Sequence, residues 1–185
     1  LYSGTRKGQT DIVKYNLNYD SKIFINDTEG SEYSPLKIPS QNAVSSIRLE
    51  KDGTQKLYKY SLKNGEAEVL IDDIIIGYHV WLNKDVLVSS VLEDDQLALY
   101  STFLNEHKNY KFHTNIGRSL HKIPNTELVS FISKSNKDLW EIHSLNPYSV
   151  FICRLHLKLT ESCKLGTIMH RNMLLIAKSN CYGHH

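Results

Sequence analysis

Apolar residues in this chain come in short runs. Val13, Tyr15 and Leu17 alternate with Lys14 and Asn16, the period of two expected of a half-buried strand. Around Leu57 the alternation is less clean, as in a strand apolar on both faces. The longest unbroken runs, Ile74 to Ile76 and Met173 to Ala177, have strand length. No amphipathic helix of useful length is written anywhere. Turn residues punctuate the runs: Lys51-Asp52-Gly53, Lys63-Asn64-Gly65, Asn83-Lys84-Asp85, Glu93-Asp94-Asp95 and Ser135-Asn136-Lys137. Asp-Gly and Asn-Gly between strand patterns predict hairpins, because Gly and Asn tolerate positive φ.

The strands repeat. Lys37-Ile38-Pro39 recurs as Lys122-Ile123-Pro124, each followed by four variable residues and then Val-Ser. Val44, Val88 and Val129 each open a Val-Ser phrase, at steps of 44 and 41 residues. A weaker copy runs from Met173 to Ser179. A second landmark, Ile12, Leu57, Leu97 and Leu139, steps by 45, 40 and 42 residues. A third follows each of these: KIFIN at Lys22, AEVLI at Ala67, NYKFH at Asn109 and SVFIC at Ser149. Three landmarks in fixed order at one period are hard to produce by chance.

Four strands in each unit of about 40–45 residues describe a β-propeller blade. The expected fold is therefore all-β: a propeller of four-stranded antiparallel blades, with about four blades present. The strand with Lys-Ile-Pro or Tyr78-His79-Val80-Trp81 is innermost, and the Val-Ser strand is second. KLYKYSL, from Lys56, is third and AEVLI is outermost. The chain divides into a partial blade over 1–26, blades over 32–71, 75–114 and 117–153, and a partial blade over 160–180. The two partial blades are complementary, so they could join to close a small ring; the other possibility is part of a larger propeller.

Composition narrows the classes. The chain has 185 residues, 41% hydrophobic and 23% charged, with a formal net charge of +2. That balance suits an ordinary globular domain and gives no field strong enough to imply nucleic acid. Nothing is long and apolar enough for a membrane-spanning helix. No signal peptide is visible, and the opening Leu1-Tyr2-Ser3 without Met points to a missing start. The three cysteines, Cys153, Cys163 and Cys181, have neither a disulfide framework nor zinc spacing.

The phrases resemble the TolB-like propeller family, a relative of the WD-type repeats. Ser3 to Leu17 is similar to the second half of that family's blade, and Glu32 to Leu70 to a whole one. Gly77 to Val91 and Asn115 to Ile132 look like versions from secreted or periplasmic proteins of Bacteroidetes-type bacteria. The resemblance implies a periplasmic or secreted compartment. It covers residues 1–150 well and 151–185 loosely. Lys-Ile-Pro stands where the family has proline-aspartate-glycine, so the tight turn there is altered.

Propeller function gathers at the channel and on the loops of one face. Six residues on or beside the inner strands are candidates for ligand binding there: Glu32, Tyr33, Tyr78, His79, Arg118 and His121. His79 and His121 are one period apart and are candidate ligands for a divalent metal, with Glu32 as an oxygen donor. The resemblance includes propeller lyases that hold a metal with channel histidines. Against this, two imidazoles fall short of three or four ligands, and a His beside Tyr78 and Trp81 is an ordinary packing residue. Counting back from Val-Ser also sets Val80, not His79, opposite His121. Ser119 and His121 lack an acid for a triad. Glu93-Asp94-Asp95 is a solvated hairpin tip. Asn26-Asp27-Thr28 matches a glycosylation pattern. Tyr2, Tyr15, Tyr58, Tyr60 and Tyr100 are expected to pack between blades.

The expected function is a non-catalytic recognition or scaffold domain of the bacterial envelope, without a required cofactor. It would bind a protein, peptide or glycan partner at the channel face. Two enzyme readings stand beside it: a metal-dependent polysaccharide lyase or hydrolase, and the propeller half of a peptidase.

Overall fold

The structure is a computed structural model that describes residues 1–149, 152–154 and 181–182. Its described residues form four antiparallel sheets in chain order. The first holds β1 (Tyr2–Arg6), β2 (Gln9–Asn16) and β3 (Ser21–Phe24). The second holds β4 (Ser31–Lys37), β5 (Ala43–Leu49), β6 (Gln55–Ser61) and β7 (Ala67–Ile71). The third holds β8 (Ile76–Trp81), β9 (Val86–Glu93), β10 (Gln96–Phe103) and β11 (Lys108–His113). The fourth holds β12 (Ile116–Lys122), β13 (Val129–Ser133), β14 (Glu141–Leu145), β15 (Ile152–Arg154) and, outermost, β16 (Cys181–Tyr182). The described residues are all-β apart from one short 3-10 turn, Leu104–Glu106.

Each sheet is a simple meander, and each packs its face on the next. This is the blade order of a β-propeller. The first sheet has three strands, its β1 matching the second strand of a full blade. The inner-edge strands β8 and β12 lie side by side. The C-terminal partial blade expected over 160–180, and with it ring closure, lies outside the described residues.

The second strands are buried on both faces. Along β9, Leu87 and Val91 enter the core between the second and third sheets, with Ile47, Leu57, Ile76 and Trp81. Val86 and Val88 point the other way, into the core between the third and fourth sheets, with Leu99, Val129, Phe131 and Leu145. Successive strand residues face opposite sides, so a strand between two blades is buried on both faces, its small Ser89 and Ser90 included. The junction of the first two sheets has a smaller core of Ile12, Val44, Tyr58 and Tyr60.

Two expectations need correction. The landmark residue Leu139 is not in a strand. Leu139 and Trp140 are exposed, and Lys134 Nζ lies 4.2 Å from the Trp140 ring centroid. An Asx turn, Asp138 N–H donating to Asn136 Oδ1, lengthens the hairpin, and β14 starts only at Glu141. Among the tyrosines, Tyr58 and Tyr60 are buried and Tyr100 packs partly, but Tyr2 and Tyr15 are about half in solvent.

Candidate functional site

The inner strands β4, β8 and β12 share a defect. Each breaks its ladder to the second strand at the same level: between Tyr33 and Leu36, between Ile76 and Tyr78, and between Ile116 and Leu120. In β4 the break is made by Ser34, whose φ is +52°, ahead of Pro35. Bulges of this kind re-aim side chains and gather near functional sites. Here they present Tyr33, Ser34, Arg118 and Ser119 to solvent, with Tyr78 half-buried.

Register also revises the histidine alignment. His79 lies opposite Ser89, and His121 lies opposite Ser130. Leu36 lies opposite Ser45 in the second sheet. These three serines occupy one station, so His79, and not Val80, is the counterpart of His121. The β8–β9 hairpin carries one residue more than its counterparts, which misleads any count along the sequence.

Equivalent stations are not equivalent environments. His121 is exposed. His79 is buried, its Nε2 2.7 Å from Ser45 Oγ, while Trp81 Nε1–H donates to the same oxygen at 2.7 Å. This contact ties the inner strand of one blade to the second strand of the blade before it. Burial holds the His79 pKa down to about 4. His79 Nδ1 and Ser89 Oγ are buried and lack hydrogen-bond partners among the described residues.

Glu32 does not face an open channel. It is fully buried where the first two sheets meet. Its Oε1 accepts hydrogen bonds from Thr28 Oγ1 at 2.7 Å and Tyr60 Oη at 2.9 Å. Asn26 extends the network by donating to Thr28 Oγ1 and to buried Asp11, which Arg6 and Gln9 also bind. Burial raises the Glu32 pKa against the opposing pull of these donors. The structure thus separates the proposed metal ligands: Glu32 and His79 each belong to an inter-blade contact, and His121 is at the surface. Among the described residues, no group of three or more His, Cys, Asp or Glu could hold a metal.

A second feature was missed in the sequence. A cleft of about 980 Å³ opens between the outer parts of the third and fourth sheets. The β10–β11 hairpin supplies Phe103 and Glu106, and β11 supplies Tyr110 to His113. Across the gap stand Glu141, His143, Tyr148, Ile152 and Arg154. Phe103 meets Tyr110 and Tyr148 edge-to-face, at 5.6 and 5.7 Å between centroids. Behind them His113 and His143 stack at 6.3 Å, each also against Phe131. One signal was available: the third landmark ends in His113 in NYKFH where AEVLI ends in Ile71.

No family model matches the chain, and no curated protein matches its sequence. Solved structures do resemble it. TolB from Acinetobacter baumannii superposes with a TM-score of 0.65 at 12% identity, over 80% of this chain and 38% of that one. The isopeptidase AtxE2, in its apo form, gives a TM-score of 0.40 at 11% identity, over 79% of this chain and 40% of that one. The first likeness establishes a TolB-like propeller fold; the second is too loose to carry an argument. The chain spans well under half the length of either.

Proposed function

We propose that this chain is a non-catalytic propeller recognition domain that binds a protein, peptide or glycan partner at its channel face. The observation that carries the reading is the bulge repeated in all three inner strands. A ladder defect at one level in successive blades is a costly irregularity for a sheet, and here it turns polar and aromatic side chains outward. Tyr33, Tyr78, Arg118 and His121 on these strands combine a broad aromatic surface with a guanidinium and an imidazole. Such a set reads shape and hydrogen bonding. Glu32 and His79 support the fold behind this face. An envelope compartment, periplasmic or secreted, in a Bacteroidetes-type bacterium belongs to the same proposal and rests on sequence resemblance. Among the described residues no helix is long and apolar enough to cross a membrane.

The test is a binding screen of the purified chain on peptide and glycan arrays, repeated with Tyr33→Ala and Arg118→Ala. A partner recovered from the screen should bind each variant at least ~10-fold more weakly, the factor that about 1.4 kcal/mol produces. It should also be released chemically unchanged. Cleavage of the bound partner, or binding that ignores both substitutions, would refute the reading.

A further inference from the structure

We propose that the cleft between the third and fourth sheets is a binding site for a neutral oligosaccharide, separate from the channel face and independent of the function proposed there. The argument begins with charge. Among the described residues four charged side chains, Glu106, Lys111, Glu141 and Arg154, line the cleft, and each has an opposite charge beside it; His143 also contacts Glu141, at 3.0 Å. Glu141 pairs with Arg154 at 2.7 Å, Lys111 with Glu93 at 2.6 Å, and Glu106 with Lys108 at 3.8 Å. A cleft whose charges are already matched offers no net attraction to an acidic or basic ligand, and desolvating those pairs for one would be unfavourable.

The walls supply the second part. Phe103 holds Tyr110 and Tyr148 in edge-to-face contacts, so their ring angles are fixed before any ligand arrives. Tyr110 is 42% exposed and Tyr148 53% exposed, so surface remains open on both rings. Asn83 Nδ2–H donates to Tyr148 Oη at 2.7 Å and anchors that ring from the far side. A sugar ring has apolar C–H faces and hydroxyls around its edge, which is the complement of a bare aromatic ring beside planar polar groups. The Arg154–Glu141 pair in the same lining provides such groups, one donating and one accepting. The volume, about 980 Å³, lies at the upper end of small-molecule sites and holds several sugar rings. An apolar peptide anchor would instead require a pocket that hides its surface from water, and here both Tyr110 and Tyr148 stay about half in solvent.

Titration calorimetry with the chain tests the assignment. The probes are the neutral hexasaccharides of cellulose, xylan, mannan and chitin, with a galacturonate hexamer as the acidic control. At least one neutral probe should bind, and the acidic one should bind at least ~10-fold more weakly. Tyr110→Ala and Tyr148→Ala should each weaken binding at least ~10-fold, whereas Tyr148→Phe, which keeps the ring, should stay within about threefold. Tyr33→Ala, on the channel face, should leave binding unchanged. The proposal is overturned if no neutral probe binds, if the acidic probe binds as well as the neutral ones, or if Tyr33→Ala rather than Tyr148→Ala removes binding. Both tyrosines are half in solvent, so the variants should melt within about 0.5 kcal/mol of the parent; if Tyr148→Ala does not, the comparison of Tyr110→Ala with Tyr148→Phe decides the question alone.

Discussion

At the scale of single residues, one station of the repeat carries Leu36, His79 and His121 in three successive blades. Only the middle residue is sealed between blades, and its imidazole titrates near 4 instead of its ordinary value because burial disfavours the cation. The unfolded chain therefore binds this proton more readily than the folded one. The stability that follows is complete above about pH 6.5 and is lost as pH falls through that value toward 4. By the size of the shift, wild type should lose about 2 to 3 kcal/mol relative to His79→Leu between pH 7.5 and pH 4.5. Urea unfolding of both proteins at the two pH values measures the difference. A gap between them that does not change with pH would show that His79 is not the titrating lock. Glu32 acts in the opposite sense: its raised pKa favours the neutral acid in the fold, so its burial becomes a penalty as pH rises through the folded value.

Elements depend on how closely blades approach, and the β6–β7 turn shows this best. Gly65 closes it at a φ of +75°, and a Cβ there would sit 2.1 Å from the Ile25 carbonyl oxygen of the first sheet. Gly53 closes the β5–β6 turn at +86° with nothing within 4 Å. Both are Asp-Gly or Asn-Gly turns, and the sequence reads them alike. Gly53→Ala should cost about 1 kcal/mol, the left-handed strain alone. Gly65→Ala should cost roughly 3 kcal/mol, because the neighbouring backbone must move as well. Equal losses in denaturant midpoint would refute the contrast. The same difference separates what was legible in the sequence from what was not. Strand order and period were legible because Val, Ile and Tyr recur between turn residues at fixed steps. Register was not: one extra residue in the β8–β9 hairpin shifts His79 without changing the phrase Val88-Ser89-Ser90. Leu139 looked like a core residue by spacing and is exposed because its turn is longer. The aromatic cleft joins residues about one period apart, Phe103 and Tyr148, which no local pattern connects.

At the scale of the whole molecule, the described residues form four sheets in succession, joined through three distinct junctions. Two are apolar cores, between the second and third and between the third and fourth sheets. The one between the first and second sheets is small and leans on the polar network around Asp11, Asn26 and Glu32. The two large cores contain different residues, even where β9 serves both, so damage to one need not reach the other. Phe131→Ala tests this. Phe131 is 1% exposed in the core between the third and fourth sheets, and its loss should cost about 3 to 5 kcal/mol. Where sheets contact only their neighbours, that cost falls on the junction of the third and fourth sheets. Hydrogen exchange should then show amides of β13 and β14 opening at least ~100-fold more often, with amides of β5 and β6 within about threefold of the parent. If every strand lost protection together, the four sheets would unfold as one unit, and the separate junctions would have to be replaced by a single cooperative body.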